Sequence, residues 1–307
     1  MDEIDVALSM VLMANSRTPY RELAEFFNMS VNSIHKRVKT MVDLGIIQNF
    51  HTHLSLLNFP TVVNVVIFGI SKARDKKGSI EKLGKSEYIY NVTQASGNLF
   101  YIHAYIRNIN ELDLLVSNVR QIVQLEDLTV GLEKGSLQSD LSGTHKLSLS
   151  ELDYLIINAL KENSRKPLSD IASEIGVSAK TIRRHLDNLF EKSLVSFTID
   201  WVPDKTGIIF SIIILKSKST SKFENIDVIR EKYTKRVIFA WAFSNLPNLI
   251  LLLVWAPSMK EIQQIEAKLL SENFESVNVT ILVEGKNFPT WRDTFLNEKI
   301  KELKKGD

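Results

Sequence analysis

The sequence predicts an α+β chain built as two tandem copies of one unit, each a winged helix-turn-helix followed by a ferredoxin-like βαββαβ domain. Three observations predict it. Residues 3–45 align without gaps on residues 151–193 at a constant offset of 148. After each aligned stretch the apolar pattern runs strand, helix, strand, strand, helix, strand. A Gly/Ser-rich stretch without an apolar face, residues 135–148, separates the copies. The expected domains are therefore helix-turn-helix modules at 1–58 and 149–206 and α+β domains at 59–134 and 207–286. A linker at 135–148 and a C-terminal amphipathic helix at 287–307 complete the chain.

The alignment pairs Glu3 with Glu151, Asp5 with Asp153, Leu12 with Leu160, Asn15-Ser16-Arg17 with Asn163-Ser164-Arg165, and Pro19 with Pro167. Ala24/Ala172, Ser30/Ser178 and Ile34/Ile182 continue the series. The apolar positions coincide as well, which chance matches would not produce. Ile4, Leu8, Val11 and Leu12 fall on one face of a first helix. Pro19 cannot continue that helix but suits the start of a second. Asn28, matched by Gly176, supplies a C-cap, and Ser30 and Ser178 supply the N-cap of a third helix. Residues 45–47 and 194–197 then open β-patterned stretches of the kind that form a wing.

In the first copy the strands are expected at 62–70, 88–94, 99–107 and 125–133, with helices at 79–85 and 109–123. In the second the strands are expected at 208–216, 236–244, 249–256 and 276–284, with helices at 223–233 and 259–272. Turn residues 95–98 and 245–248 join the central strands. Tyr101, His103 and Tyr105 share one strand face, where packing explains them better than ligand binding. The four tryptophans, Trp201, Trp241, Trp255 and Trp291, all lie in the second copy and read as core or interface.

Composition narrows the function. Charged and hydrophobic fractions of 24% and 44% are those of a globular domain. A net charge of +2 gives no overall pull towards nucleic acid or membrane. The absence of cysteine excludes disulfides, thiolate metal sites and a cysteine nucleophile. No secretory signal opens the chain, and the apolar runs at 208–215 and 249–256 are too short to span a bilayer. A cytoplasmic protein with no membrane partner, no cofactor and no metal is expected.

In a helix-turn-helix the second helix of the pair enters the major groove. Ile34, Val38 and Met41 are spaced to face the core, as are Ile182, Leu186 and Leu189. The opposite face carries Asn32, Ser33, Lys36 and Arg37 in the first copy and Lys180, Thr181, Arg183 and Arg184 in the second. Asn can pair with adenine, Arg or Lys with guanine, and Ser or Thr with several acceptors. His35, Lys39 and His185 stand at the margin, where phosphate contact is expected. Residues 1–60 hold five Lys/Arg and six Asp/Glu, so a solvated basic face is the bland alternative. Distribution argues against it, because the acids gather in the first two helices and leave the third basic, twice. His51 and His53, two residues apart in the wing, have no local carboxylate or cysteine and read as phosphate neighbours rather than metal ligands.

These features resemble the Lrp/AsnC (feast/famine) transcription regulators. The resemblance rests on the acidic–apolar–Asp opening of both copies (Glu3-Ile4-Asp5; Glu151-Leu152-Asp153), Asn-Ser-Arg before the second helix, and the Ser-capped third helix. Val92 to Phe100 also looks like the strand–turn–strand of that family's effector domain, called RAM. The resemblance implies sequence-specific binding of double-stranded DNA, dimerisation through the α+β domains into a homodimer, and an amino-acid effector. Two departures stand out. The family usually carries one copy per chain, and its acidic residue after the turn glycine is missing, since Asn98, Leu99 and Phe100 follow Gly97.

Two other classes compete. Sirohaem decarboxylases resemble this architecture, but their His-Asn-Tyr-type motif is absent near Tyr88-Ile89-Tyr90-Asn91-Val92, and residues 186–307 hold no histidine. No GxSxG, HExxH, phosphate-loop or dinucleotide motif occurs either. The third class is an interaction scaffold whose helix-turn-helix modules no longer bind DNA. A non-enzymatic DNA-binding regulator is the expected function.

Overall fold

The computed structural model describes residues 1–134, 149–205, 207–218, 233, 235–272 and 274–306. The expected linker at 135–148 lies outside them, as does the helix expected at 223–233 except for Tyr233. In the first copy the elements are α1 (Glu3–Ala14), α2 (Tyr20–Phe26), α3 (Val31–Asp43), β1 (Ile47–Leu54), β2 (Val63–Ser71), α4 (Lys76–Leu83), β3 (Ile89–Ala95), β4 (Leu99–Ile106), α5 (Leu112–Val123) and β5 (Leu125–Leu132). In the second copy they are α6 (Glu151–Leu160), α7 (Leu168–Ile175), α8 (Ala179–Glu191), β6 (Val195–Trp201), β7 (Ile209–Lys216), β8 (Val237–Ala242), β9 (Leu249–Ala256), α9 (Met259–Ser271), β10 (Ser276–Asn287) and α10 (Trp291–Gly306). The protein is an α+β protein of duplicated helix-turn-helix and ferredoxin-like units.

The chain does not divide along its length. One compact unit gathers Met1–Pro60, Leu141–Lys205 and Trp291–Asp307, and the other gathers Thr61–Asp140 and Thr206–Thr290. Like domains have found each other within one chain.

In the helical unit, capping boxes start both leading helices. Asp2 and Asp5 exchange bonds at the head of α1, and Ser150 and Asp153 do so at α6. The expected wings take an unexpected form. Each module supplies one strand, and β1 pairs antiparallel with β6, setting His51 opposite Thr198 and His53 opposite Ser196. A lone strand leaves its backbone groups unpaired, so each module completes its hydrogen bonding on the other. Leu54 of β1 enters the core of the second module beside Ile156, Leu160, Ile182, Leu189 and Phe197. Leu296 and Ile300 of α10 close that core, which explains the apolar stripe of the C-terminal helix.

The other unit is one eight-stranded sheet in the order β5-β2-β4-β3-β10-β7-β9-β8. The halves join where β10 pairs antiparallel with β3, from Leu282↔Ala95 to Asn287↔Asn91. β10 runs three residues past its expected end at 284 because those residues form this seam. The sheet curls until its outer strands meet at an antiparallel bridge between Glu133 and Phe243, with Ser244 N–H donating to the Leu132 carbonyl at 2.8 Å. Gly131 makes room there, since a Cβ on it would lie 2.3 Å from the Phe243 ring. Ile213, Leu215, Ile250, Leu252 and Val254 form one core with Ile262 and Leu269 of α9. On the first half, α4 buries Ile80 and Leu83 and α5 buries Leu115, Val119 and Val123.

Candidate nucleic-acid interface

The α2–α3 turn is made by Asn28, whose φ of 51° is left-handed, and the α7–α8 turn by Gly176 at 81°. Asn and Gly tolerate that region best, so both residues let one helix stop and the next begin within four positions. Ser30 Oγ then accepts from Ser33 N–H at 3.1 Å, and Ser178 Oγ accepts from Thr181 N–H at 3.1 Å. The Ser33 and Thr181 hydroxyls lie 2.8 and 2.9 Å from those same caps. Both were expected on the base-reading face; both are also engaged in holding the helix start. Ile34, Val38 and Met41 face inward, as do Ile182, Leu186 and Leu189, as the spacing predicts.

The remaining candidates separate into two groups. Asn32, His35, Lys36 and Lys39 on α3, and Lys180, Arg183 and Arg184 on α8, are exposed. The Lys and Arg side chains among them enter no ion pair among the described residues, while His35 meets the Tyr20 ring edge-on at 5.4 Å. Arg37 and His185, the aligned partners at offset 148, behave differently. Arg37 forms ion pairs with Asp5 at 2.7 Å and Asp2 at 3.0 Å. His185 Nδ1 lies 2.7 Å from Asp153, the counterpart of Asp5. The sequence put Arg37 among base readers and His185 near phosphate; the structure ties both to the leading helix of their own module. Hydrogen bonding to Asp5 raises the Arg37 guanidinium above its already high value, so it stays charged. Partial burial works to raise Asp2, but hydrogen bonding from Arg37 holds it below the usual carboxylate range. These pairs orient the recognition helix and do not project from it.

Thr40, next to Lys36 and Arg37 on the surface of α3, was not singled out, nor were Asp187 and Asn188 on α8. Thr40 shares a concave patch with Ser33 and Lys36, and Asp187 and Asn188 share one with Lys180, Arg183 and Arg184. Helical spacing could have found all three, because Thr40 and Asn188 lie four residues beyond Lys36 and Arg184.

The two modules are locked by near-symmetric contacts between the Asn-Ser-Arg segments. Ser16 and Ser164 hydroxyls meet at 2.5 Å. Arg17 donates to the Ser164 carbonyl, and Arg165 donates to the Ser16 carbonyl. Burial lowers both guanidiniums, and for Arg17 the nearby charge of Arg165 adds to the effect. The repeated motif therefore serves the seam between modules.

The wing histidines also find carboxylates that the sequence did not reveal. His51 Nε2 lies 2.6 Å from Asp200 on β6, and His53 Nδ1 lies 3.4 Å from Asp293 on α10. Hydrogen bonding to Asp200 raises His51, whereas burial lowers His53. Both histidines thus pair across the two modules. Among the described residues no group of three or more His, Cys, Asp or Glu could hold a metal ion.

In the sheet unit, Tyr101 and His103 are buried. Tyr101 shares a hydrogen bond with Thr280 at 3.1 Å, and burial pushes its phenol up to about 12. His103 packs against Trp241 with ring centroids 5.1 Å apart, and burial lowers it to about 4. The turn that resembled an effector motif is a structural join, since Ser96 Oγ accepts from Ile281 N–H of β10 at 3.0 Å.

Comparison with known proteins fits this geometry. Residues 1–48 match a winged helix-turn-helix DNA-binding family model, and residues 149–189 match the AsnC-type helix-turn-helix domain. The chain is 29% identical over 129 residues to the regulatory protein AsnC of Escherichia coli, which covers 41% of this chain and 85% of AsnC. The likeness is to the Lrp/AsnC regulators, and this chain carries two such helix-turn-helix units in tandem. An uncharacterised HTH-type transcriptional regulator of Pyrococcus horikoshii is likewise 29% identical over 128 residues, 41% of this chain and 86% of that one. Such relatives have roughly the length of one copy. The siroheme decarboxylase NirDL matches in fold over 99% of this chain and all of its own, with a TM-score of 0.57 at 12% identity. Residues 1–48 and 149–189 thus each carry a helix-turn-helix of the kind found in DNA-binding regulators, the second of AsnC type. No described helix is long and apolar enough to cross a membrane.

Proposed function

We propose that the chain is a cytoplasmic, sequence-specific regulator that reads double-stranded DNA with α3 and α8, each in a major groove. The observation that carries this reading is duplicated: two Ser-capped helices, each locked to its module from behind, each presenting cationic side chains that form no ion pair among the described residues. Asn32, Lys36 and Lys39 on α3 and Lys180, Arg183 and Arg184 on α8 are the proposed contacts, with Ser33, Thr181 and His35 at the margins. The β3–β10 and β1–β6 pairings supply within one chain the pairing that single-copy relatives would need two chains to build. We further propose that two such chains associate into a homodimer, which light scattering on the full chain tests.

The experiment is binding of the full chain to a pool of random duplexes, followed by a salt titration on the enriched sequence. Neutralising phosphates releases counterions, so log affinity should fall against log salt with a slope of about −0.9 per phosphate contacted. An affinity that does not change with salt contradicts DNA as the partner. A second reading, decarboxylation of a sirohaem-type substrate, has the full-length likeness to NirDL in its favour. Titrating the purified protein with an iron porphyrin and finding no change in the porphyrin spectrum removes it.

A further inference from the structure

The two recognition helices differ most sharply at one position. Lys39 of α3 aligns with Asp187 of α8, a reversal of charge at an exposed site. Asp187 follows Arg183 by four residues and Arg184 by three, a spacing that favours ion pairs on a helix. Neither pair forms: among the described residues Arg183, Arg184 and Asp187 enter no salt bridge. All three line one concave patch with Lys180, Thr181, Asn188 and Glu191. The exposed face of α8 therefore runs from three cations at its N-terminal end to two carboxylates, Asp187 and Glu191, further along. On α3 the same face carries Lys36 and Lys39 before its one acid, Asp43.

A carboxylate placed against DNA has few favourable partners. Phosphates repel it, and the base edges that it can use are those with amino donors, above all cytosine N4 in the major groove. A lysine in the same place gains from every phosphate whatever the sequence. We propose that Asp187 is a specificity-determining residue of the second module, which accepts a hydrogen bond from a cytosine amino group and penalises duplexes that lack it. Lys39 contributes sequence-independent affinity at the matching position of the first module. This inference rests on the proposed DNA reading and narrows the ligand to a cytosine-bearing half-site.

The test uses the full chain and its selected duplex. Affinities of the wild type, Asp187→Asn and Asp187→Lys are measured on that duplex, on single base-pair replacements of each C·G pair in the second half-site, and on unrelated duplex across salt. The wild type should lose about 10-fold at one C·G pair, in the range expected for a good base contact. Asp187→Asn should bring that ratio towards one. Asp187→Lys should tighten binding to unrelated duplex and steepen its salt slope by about 0.9. Wild-type binding with unchanged ratios and slopes in both variants overturns the role of Asp187 and leaves the DNA reading intact. Failure of the wild type to bind any duplex overturns both.

Discussion

The first and second helix-turn-helix modules have the same skeleton and different faces. Their buried positions agree at Ile34/Ile182, Val38/Leu186 and Met41/Leu189, and their Asp5 and Asp153 hold the recognition helix through Arg37 and His185. Their exposed positions disagree at Asn32/Lys180, His35/Arg183 and Lys39/Asp187. The core of a helix-turn-helix tolerates few shapes, so duplication leaves it alone. An exposed face changes at little cost in stability and is free to acquire a second sequence preference.

The largest effects should come from the contacts that set the second module apart. Leu296 on α10 is buried against the α6–α8 core. Leu296→Ala should destabilise the protein by about 2–5 kcal/mol, as a transfer loss plus a cavity. Chemical denaturation checks this, and a loss below 0.5 kcal/mol (on the scale of about 2–5 for such cavities) would mean that α10 is not part of that core.

Two histidines, His103 of the sheet unit and His51 of the helical unit, should also respond to acid with opposite signs. His103 is held down to about 4 by burial. Its unfolded form takes up a proton from about pH 6.5 downwards and the folded form refuses it until about pH 4, so up to about 3 kcal/mol of stability is lost across that window. His51 is raised by its hydrogen bond to Asp200, so its contribution is present below about 6.5 and lost as pH rises through the folded value. His103 Nδ1 is buried without a hydrogen-bond partner. His103→Phe should therefore flatten the acid limb while leaving stability near pH 7 unchanged or slightly higher. An acid limb as steep as wild type would show that His103 is not its source.

Specificity comes next in size. Arg184→Ala and Lys36→Ala should each relax preference at one half-site, by about 1–3 kcal/mol per lost base contact. Identical changes from both, measured on a library of operators, would mean that the helices read one motif. The smallest effect is expected from Arg37→Ala, which should cost about 1 kcal/mol of stability for a half-exposed ion pair. It should leave base preference unchanged, in contrast to Lys36→Ala one residue away.

Most of the architecture was legible because it is written in periodicity. Ungapped repetition gave two copies, and alternating apolar runs gave the strands at 63–71, 99–106 and 249–256 close to their ends. What the sequence could not show is which copy pairs with which. The β1–β6 and β3–β10 pairings and the carboxylates of His51 and His53 join residues about 145 to 240 positions apart. Local spacing carries no trace of such contacts. The ion pairs of Arg37 were hidden for a related reason: helical spacing puts it at the edge of the exposed face, and only the three-dimensional position of Asp2 and Asp5 brings them to it. The carboxylate of Asp187 was legible as an i+4 neighbour of Arg183, but a reading built on cations, amides and hydroxyls facing DNA gives an acid no place.

The central claim, that one chain carries two recognition helices with different preferences, is tested most directly by selecting duplexes from a random pool with the full chain and footprinting the winner. The account predicts an enriched site with two dissimilar half-sites, spaced by about 10 base pairs or a multiple of that if both modules dock on one face. A perfect palindrome, or no enrichment over the starting pool, would contradict it.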